Sequence, residues 1–403
     1  MIFALAQKSK GEIPVPTPLV NEQLDSIVSN DSTFFSNPNL KILNTCCGSG
    51  TYIINVYKRL MSGLANVIPN EEDRKKHILG NMLYAIDIKF TFVVHTINML
   101  DIDRKYINLK NFVCNDALNY KWNTTFDLIM CSAPFSEGRT NGNTVWNQHF
   151  VTYQKLLNKC GYFVTNLPAR WRSPSSPLND GKMGRKNFYG DIIKKQILLL
   201  RMIDLKNDYN HVTSDMIVIC NIVGKYTTRI FDTHNNRYWL DLSKYPWIPN
   251  YNLTEIYNLF AVDSNNTIKS MLTYECERRN KHINKCTEPN NVNKYPCVNS
   301  IYKDGTLAFY YSSRNDLPIM NTRKVILSHS GNCYAYNDYN KQYGVTQHMY
   351  YIKVDTNEEA ERICKFAKSE YFVDLAAACK WGMQQAGIVD ALRFFDKKIY
   401  ENY

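Results

Sequence analysis

The chain has 403 residues, of which 44% are hydrophobic and 21% charged, and its 48 lysines and arginines exceed its 37 acidic residues to give a formal net charge of +11. This composition excludes an intrinsically disordered chain and a collagen-like fibre, and it suits one large domain or two ordinary ones. The longest apolar runs fall far short of the roughly 18–20 residues of a membrane span, and the twelve scattered cysteines favour reduced thiols over a disulfide framework. We therefore expect an intracellular protein of the cytoplasm, or of the host cell if the chain is viral.

Residues 40–225 alternate between short apolar runs and amphipathic stretches. The apolar runs predict strands at 40–44, 83–86, 111–114, 127–131, 161–166, 199–204 and 216–223. Apolar residues spaced three and four positions apart predict helices at 52–64, 89–100 and 146–157. This alternation predicts an α/β fold with a doubly wound, Rossmann-like sheet of seven strands.

A glycine-rich turn follows the first predicted strand. Its sequence is Asn44-Thr45-Cys46-Cys47-Gly48-Ser49-Gly50-Thr51. Glycines between a strand and a helix let the backbone bend sharply and approach a ligand closely. Because Gly-x-Gly alone is a weak motif, a nucleotide site and a purely structural turn both remain open at this point.

Polar residues follow the next two predicted strands. Asp87, with Ile88 after it, closes the second strand, where a carboxylate can accept both hydroxyls of a ribose. The third strand is followed by Asn115, Asp116 and Ala117. Open α/β sheets bind ligands in the crevice at the carboxyl ends of adjacent strands, so these positions predict a nucleotide-like ligand.

The fourth predicted strand runs directly into Ser132, Ala133, Pro134 and Phe135. A structural turn that closes the strand is the alternative to a reactive site here. Residues 136–147, rich in glycine and asparagine, could order as a lid over a bound substrate.

A basic segment at 170–186 contains two prolines and two glycines and predicts a long loop. Basic side chains next to aromatic ones predict contacts to nucleic-acid phosphates, with an ordinary solvated loop as the alternative. The candidate contacts are Arg170, Arg172, Lys182, Arg185 and Lys186.

The βα rhythm stops after residue 230, where asparagine, tyrosine and turn signals become frequent. We therefore predict a first domain at 1–230 and a second, smaller α+β domain at 231–403. In the second domain the pattern predicts a strand at 348–354 and helices at 358–366 and 371–395.

The order and spacing of these motifs over residues 11–225 resemble the S-adenosylmethionine-dependent amino-methyltransferases, in particular the gamma-class DNA adenine-N6 methyltransferases of restriction-modification systems. The resemblance implies a methyltransferase sheet, S-adenosyl-L-methionine as the cofactor, and no metal. It also implies double-stranded DNA as the partner and a target-recognition role for 231–403. A separate cognate restriction endonuclease would be a further partner.

Residue by residue, the resemblance makes 44–51 the cofactor's glycine loop and Asp87 its ribose acid. Asp116 matches the residue that contacts the cofactor adenine. Thr17 and Pro18, before a predicted helix, match the motif beside the methionine end of the cofactor.

The tetrad 132–135 matches the family's Asn-Pro-Pro-Tyr/Phe motif. The resemblance implies that Ser132 Oγ and the Ala133 carbonyl hold the adenine amine, while Phe135 stacks on a base flipped out of the duplex. Serine is shorter than Asn or Asp, Ala133 replaces a proline, and Asn44 replaces an aspartate. The alternatives are therefore a cytosine-N4, RNA or protein methyltransferase, or a catalytically silent DNA-binding relative.

Overall fold

The computed structural model describes residues 15–134, 145–174, 195–204, 213–224, 227–277, 280–283, 286–329, 333–382 and 387–403. These residues form two compact units: the first runs to residue 171 and resumes from 195 to 244, and the second holds 172–174 and the residues after 244. Of the helices in these stretches, none has both the length and the apolar character needed to cross a bilayer.

The first unit is built on a mixed sheet of nine described strands. Along the chain they are β1 (Ile42–Thr45), β2 (Leu83–Asp87), β3 (Phe112–Cys114), β4 (Phe126–Cys131), β5 (Leu157–Pro168), β6 (Lys195–Asp204), β7 (Thr213–Val223), β8 (Thr228–Phe231) and β9 (Arg237–Leu240). Their order in the sheet is β3-β2-β1-β4-β5-β7-β6-β8-β9. Strands β1 to β5 pair in parallel, and β7 runs antiparallel to both β5 and β6.

All seven predicted strands are present, but the described sheet has nine strands instead of seven, and the first compact unit extends past the predicted boundary at residue 230. Strands β8 and β9 pair with each other and extend the sheet beyond β6, so the first unit ends after residue 244. Both strands are only four residues long, and their side chains alternate between more and less exposed positions. A short edge hairpin of this kind lacks the continuous apolar run that marks a strand covered on both faces.

Five helices accompany the first sheet in the described stretches: α1 (Thr17–Asn30), α2 (Thr51–Gly63), α3 (Glu71–His77), α4 (Phe90–Leu100) and α5 (Trp146–Gln154). Apolar side chains of α2 such as Ile53, Val56 and Leu60 are fully buried, as their spacing predicted. Helix α3 was not predicted because it buries no side chain. It begins at an asparagine cap, where the Asn70 side chain accepts from the Asp73 amide at 3.0 Å.

The two faces of the sheet are covered by different helices. Alternate residues of β4 and β5, including Met130 and Val164, belong to one buried cluster with side chains of α1, α2 and α4. The intervening residue Phe163 instead contacts Phe150 of α5, with ring centroids 5.1 Å apart. This covering explains why the central strands are continuously apolar.

Strand β1 marks the point where the strand order reverses. The chain proceeds from β1 outward through β2 to β3 and then returns to β4 on the other side of β1. At such a switch point the connections on the two sides diverge and leave a crevice at the carboxyl ends of the strands. The predicted ligand site lies at the ends of β1, β2, β3 and β4.

The described residues of the second unit form two small sheets. Strands β10 (Ser270–Leu272), β13 (Lys324–Ser328), β14 (Ala335–Asp338) and β16 (Met349–Lys353) form an antiparallel sheet in the order β10-β16-β13-β14. Strands β11 (Tyr295–Ile301), β12 (Leu307–Ser312) and β15 (Gly344–Val345) form the other in the order β12-β11-β15. Its helices are α6 (Leu253–Tyr257), α7 (Asn357–Lys368), α8 (Glu370–Ala378), α9 (Ile388–Ala391) and α10 (Lys398–Glu401).

The predicted single helix at 371–395 is wrong. Helix α8 ends at Ala378, the following described residues to 382 are not helical, and α9 begins only at Ile388. A Cβ added to Gly387 would lie 2.1 Å from the Cys379 carbonyl oxygen. The close approach of these two backbone segments requires glycine and a break in the helix.

Candidate functional site

The ends of four adjacent strands bring the candidate residues to one edge of the sheet. Thr45 pairs in parallel with Ile86 and with Cys131, and Cys131 pairs with Thr165. The next residues along these strands are Cys46, Asp87, Ser132 and Asn166. Three of these four positions were predicted, and Asn166 was missed.

The glycine loop after β1 turns through three left-handed backbone conformations. Cys46, Gly48 and Gly50 have φ angles of 52°, 54° and 78°. A Cβ on Gly50 would lie 2.9 Å from Thr96 Oγ1 of α4, so this glycine permits close packing. A Cβ on Gly48 would meet no described atom within 4 Å. The open space beside the Gly48 backbone is where a ligand can approach.

Asp87 ties the glycine loop to the end of β2. Its Oδ2 accepts from the Gly48 amide at 2.9 Å, and its Oδ1 accepts from the Lys89 amide at 2.9 Å. The residue is only 7% exposed, so these charge-assisted hydrogen bonds are sheltered from water. By contrast, the adjoining Ile88 is 71% exposed and presents an apolar surface beside the loop.

Asn44 of β1 is hydrogen-bonded to β4 at the switch point. Its Nδ2 donates to the Met130 carbonyl of β4 at 3.3 Å, and the residue is buried together with Thr45. Within the described part of the chain, Asn44 Oδ1 has no hydrogen-bond partner. On the helix side of the loop, the Thr51 and Ser49 hydroxyls lie 3.2 Å apart.

Asp116 organises the turn after β3. Its Oδ1 accepts from the Leu118 amide at 2.9 Å, and its Oδ2 accepts from Asn119 Nδ2 at 2.6 Å. The exposed Asn115 accepts from the Asp116 amide at 2.7 Å through Oδ1, and the carbonyl of buried Ala117 accepts from Tyr153 Oη at 2.7 Å. The predicted polar edge is therefore a fixed turn held against α5.

The first three tetrad residues leave β4 directly. Ala133 is buried, whereas Ser132 and Pro134 are partly exposed. Phe135 and residues 136–144 of the predicted lid lie outside the described residues.

Thr17 and Pro18 form the exposed first turn of α1. Proline is favoured there because the first helical amides have no intrahelical acceptor. Their predicted position beside a cofactor stays a prediction.

A histidine that the sequence analysis missed lies at the same edge. His149 Nδ1 of α5 is 3.8 Å from Cys46 Sγ. Burial lowers the pKa of His149 to about 4, and burial raises the pKa of the Cys46 thiol well above its ordinary value. Both groups are therefore neutral near pH 7, so the pair lacks the thiolate that nucleophilic cysteine chemistry needs. A lone histidine within an amphipathic helix gave no signal of this contact.

We expect His149 to make the stability of the protein depend on pH. The imidazole has a folded-state pKa of about 4 and an ordinary value near 6.5, so the unfolded chain binds more protons between these values. The stabilisation that depends on neutral His149 is fully present above about pH 6.5. It is lost as the pH falls towards 4, by up to ~3 kcal/mol. Urea unfolding at pH 7 and pH 4.5 should show a smaller loss for His149→Gln than for the wild type. Equal losses in both proteins would contradict this assignment.

The structure corrects one predicted DNA contact and leaves the others untested. Arg172 is 0% exposed, and its guanidinium donates to the Ile248 carbonyl at 3.0 Å, the Pro249 carbonyl at 2.9 Å and Asn250 Oδ1 at 2.9 Å. It holds backbone of the second unit together, so its prediction as a phosphate contact is wrong. Arg170 is exposed, as expected for a phosphate contact. Lys182, Arg185 and Lys186 lie outside the described residues.

Replacing the two arginines should separate these roles. Arg172→Ala leaves three buried acceptors without their donor and should lower the free energy of unfolding by ~2–4 kcal/mol in urea titrations. Arg170→Ala, at an exposed position, should lower the free energy of unfolding much less. Equal stability of the two variants would overturn the structural role of Arg172.

Across the described stretches, no group of three or more histidine, cysteine, aspartate or glutamate side chains is arranged to hold a metal ion.

No protein-family profile matches the sequence. Over 163 residues the chain is 40% identical to a Mycoplasma pneumoniae protein described as an uncharacterized adenine-specific methylase, a match that covers 40% of this chain and 36% of that protein. The chain thus matches about a third of that relative's length.

The chain also aligns with solved structures. The ATP-dependent Type ISP restriction-modification enzyme LlaBIII bound to DNA aligns with a TM-score of 0.53 and 9% identity, over 92% of this chain and 38% of that one. A type I restriction-modification methyltransferase subunit from Streptococcus thermophilus aligns with a TM-score of 0.40 and 10% identity, over 59% of this chain and 52% of that one. The likeness to LlaBIII shows a common fold, and the similarity to the methylase confirms the predicted resemblance to adenine methyltransferases.

Proposed function

We propose that this chain is an S-adenosylmethionine-dependent DNA methyltransferase that methylates the N6 amine of adenine at a short recognition sequence. The observation that carries this proposal is the shared edge of β1, β2 and β4, where a glycine loop bonded to Asp87 adjoins the Ser132–Pro134 turn. The 40% identity to an adenine-specific methylase supports the same activity.

The residues at this edge fit the cofactor. The Gly48 backbone has open space beside it, Asn44 offers a buried acceptor oxygen, and Asp87 lies at the end of the neighbouring strand. The cofactor-binding set would be Thr17, Pro18, 44–46, Gly48, Gly50, Thr51, Asp87, Ile88 and 115–117. When bound, S-adenosylmethionine supplies an electrophilic methyl group on a sulfonium sulfur.

The tetrad residues would position the amine that receives the methyl group. An exocyclic adenine nitrogen is a weak nucleophile because its lone pair is delocalised into the ring. Hydrogen bonds from this nitrogen to Ser132 Oγ and the Ala133 carbonyl would localise the lone pair and hold it in the reactive direction. Phe135 would stack on the flipped base and keep it out of the duplex.

The second unit would select the DNA sequence, and the first would perform the chemistry. The excess of basic residues in the chain, +11 overall, suits a polyanionic duplex. LlaBIII is described as a restriction-modification enzyme, and by analogy a cognate restriction endonuclease would be a partner in the cell.

The test is to incubate the purified protein with methyl-labelled S-adenosylmethionine and unmethylated duplex DNA, and to identify labelled nucleosides by mass. Labelled N6-methyldeoxyadenosine would support the proposal. Labelled N4-methyldeoxycytidine would support a methyltransferase with cytosine instead of adenine as its target base. Parallel reactions with RNA and with protein substrates test the remaining acceptors.

The inactive control is Gly48→Val, whose side chain would fill the open space beside the loop and strain its left-handed backbone. It should transfer no label. Absence of label from the wild type, together with no cofactor binding by calorimetry, would contradict the proposal and indicate a silent DNA-binding relative.

A further inference from the structure

Asn166 of β5 lies beside the tetrad on the neighbouring strand. Cys131 and Thr165 are parallel partners, so Ser132 and Asn166 occupy equivalent positions one residue later. Both also fall two residues after Met130 and Val164, whose side chains face α1 and α2. Because side chains alternate along a strand, Asn166 and Ser132 share this side of the sheet edge.

A chain of buried hydrogen bonds fixes the orientation of the Asn166 amide. Gln23 Nε2 of α1 donates to the Thr165 carbonyl at 3.4 Å, so Gln23 Oε1 accepts from Tyr52 Oη at 2.6 Å. Since the Tyr52 hydroxyl donates its proton to Gln23, its oxygen accepts from Asn166 Nδ2 at 3.1 Å. The three side chains are buried, and the sequence of donors leaves only one orientation for the Asn166 carboxamide.

This orientation presents a carboxamide oxygen without a donor. Asn166 is 7% exposed, and among the described residues no group donates to its Oδ1. A buried acceptor without a partner costs free energy, and an acceptor held rigidly in this way is suited to a ligand that brings its own N–H.

We propose that Asn166 Oδ1 is an additional acceptor for the amine that is methylated, an inference that rests on the proposed function. Ser132 offers a short hydroxyl where a longer carboxamide or carboxylate would reach the amine. Asn166 would restore a carboxamide oxygen from the adjacent strand. Tyr52 and Gln23 are then positioning residues, because they act on the amine only through Asn166.

The chemistry needs an acceptor and no base at this position. As N6 forms its bond to the methyl carbon, the carbon–sulfur bond breaks with its electron pair on sulfur, and N6 loses one proton to water. The carboxamide oxygen stabilises the positive charge that develops on nitrogen while the bond forms. A preoriented acceptor in this buried place stabilises that positive charge more strongly than the same group would in water.

The experiment compares the wild type with Asn166→Ala and Asn166→Asp in the labelled methyl-transfer assay and in calorimetric titration with S-adenosylmethionine. We expect Asn166→Ala to lower kcat by about 100-fold, the order seen when one preorganised polar contact to a reacting group is removed. The Kd for S-adenosylmethionine should stay within about twofold of the wild type. Asn111→Ala is the matched control, a buried asparagine just before β3, at the other end of the strands, and it should keep the wild-type kcat.

Asn166→Asp keeps an acceptor oxygen and provides a readout that a purely structural role would not move. Its kcat should change with pH as the new carboxyl group titrates, because only the protonated form can donate to Tyr52 as Asn166 Nδ2 does, whereas the wild type should lack this dependence. If Asn166→Ala fails to fold, this pH profile alone decides between the two roles.

Three outcomes would overturn the inference in distinguishable ways. A wild-type kcat in Asn166→Ala would remove the residue from catalysis while leaving the proposed function intact. A weakened Kd for S-adenosylmethionine with an unchanged kcat at saturation would assign Asn166 to the cofactor instead. Absence of methyl transfer by the wild type would overturn the proposed function and this inference together.

Discussion

Asp87→Ala should weaken the binding of S-adenosylmethionine by at least about 100-fold, which corresponds to ~2.7 kcal/mol. The carboxylate accepts from the amides of Gly48 and Lys89, so its removal frees the glycine loop from β2 and leaves two amides without an acceptor. It also removes the predicted acceptor for the ribose hydroxyls. Isothermal titration calorimetry measures this Kd directly. Asp87→Asn retains one oxygen, so its Kd should lie between those of the wild type and Asp87→Ala.

Asp232→Ala is the matched control for this prediction. Asp232 is also buried, and it also accepts from two backbone amides, those of His234 at 2.8 Å and Asn236 at 2.9 Å. It lies in the turn between β8 and β9 at the far edge of the sheet. Its replacement should lower stability and leave the Kd for the cofactor unchanged. An unchanged Kd in Asp87→Ala would show that the loop does not depend on this carboxylate.

The central strands could be predicted from the sequence because a strand that is buried on both faces consists of a continuous run of apolar residues. Strand β4 is apolar except for Asp127, and its last four residues are fully buried. Strand β9 carries Arg237 and an exposed Trp239 at the sheet edge, so its composition resembles that of a loop. Hydrophobic patterning shows how many faces of a strand are covered. Edge strands are largely exposed, so their sequences carry a weak hydrophobic pattern.

The candidate site could be predicted only where function follows a local motif. Glycines 48 and 50 and the acid at 87 stand next to predicted strand ends, so their position was visible in the sequence. Asn166 and His149 reach the same edge through strand register and helix packing, which join residues far apart in the chain. Arg172 shows the opposite case. A basic residue in a basic segment suggests a solvent contact, whereas its guanidinium pairs with carbonyls 76–78 residues away.

The largest expected effect on stability comes from a buried ion pair in the second unit. Lys324 Nζ of β13 lies 2.6 Å from Asp338 Oδ2 of β14, and both side chains are 0% exposed. The ammonium also donates to the Ile319 carbonyl at 3.0 Å and the Thr322 carbonyl at 3.1 Å, so its three protons each have an acceptor. Burial lowers the pKa of Lys324 and raises that of Asp338, which means that each charge depends on the other.

Lys324→Met should therefore lower the free energy of unfolding by ~3–5 kcal/mol, because it leaves the Asp338 carboxylate buried without its counter-charge. Adding Asp338→Asn removes that charge while keeping an oxygen for the Gln342 amide, which lies 2.7 Å away. The double variant should recover at least half of the loss in urea unfolding. Arg314→Ala, which breaks the exposed pair with Asp316, should leave the unfolding midpoint almost unchanged. If Lys324→Met alone were as stable as Arg314→Ala, the pair would contribute no more than a surface contact, and β13 and β14 would be held by their backbone pairing and apolar packing alone.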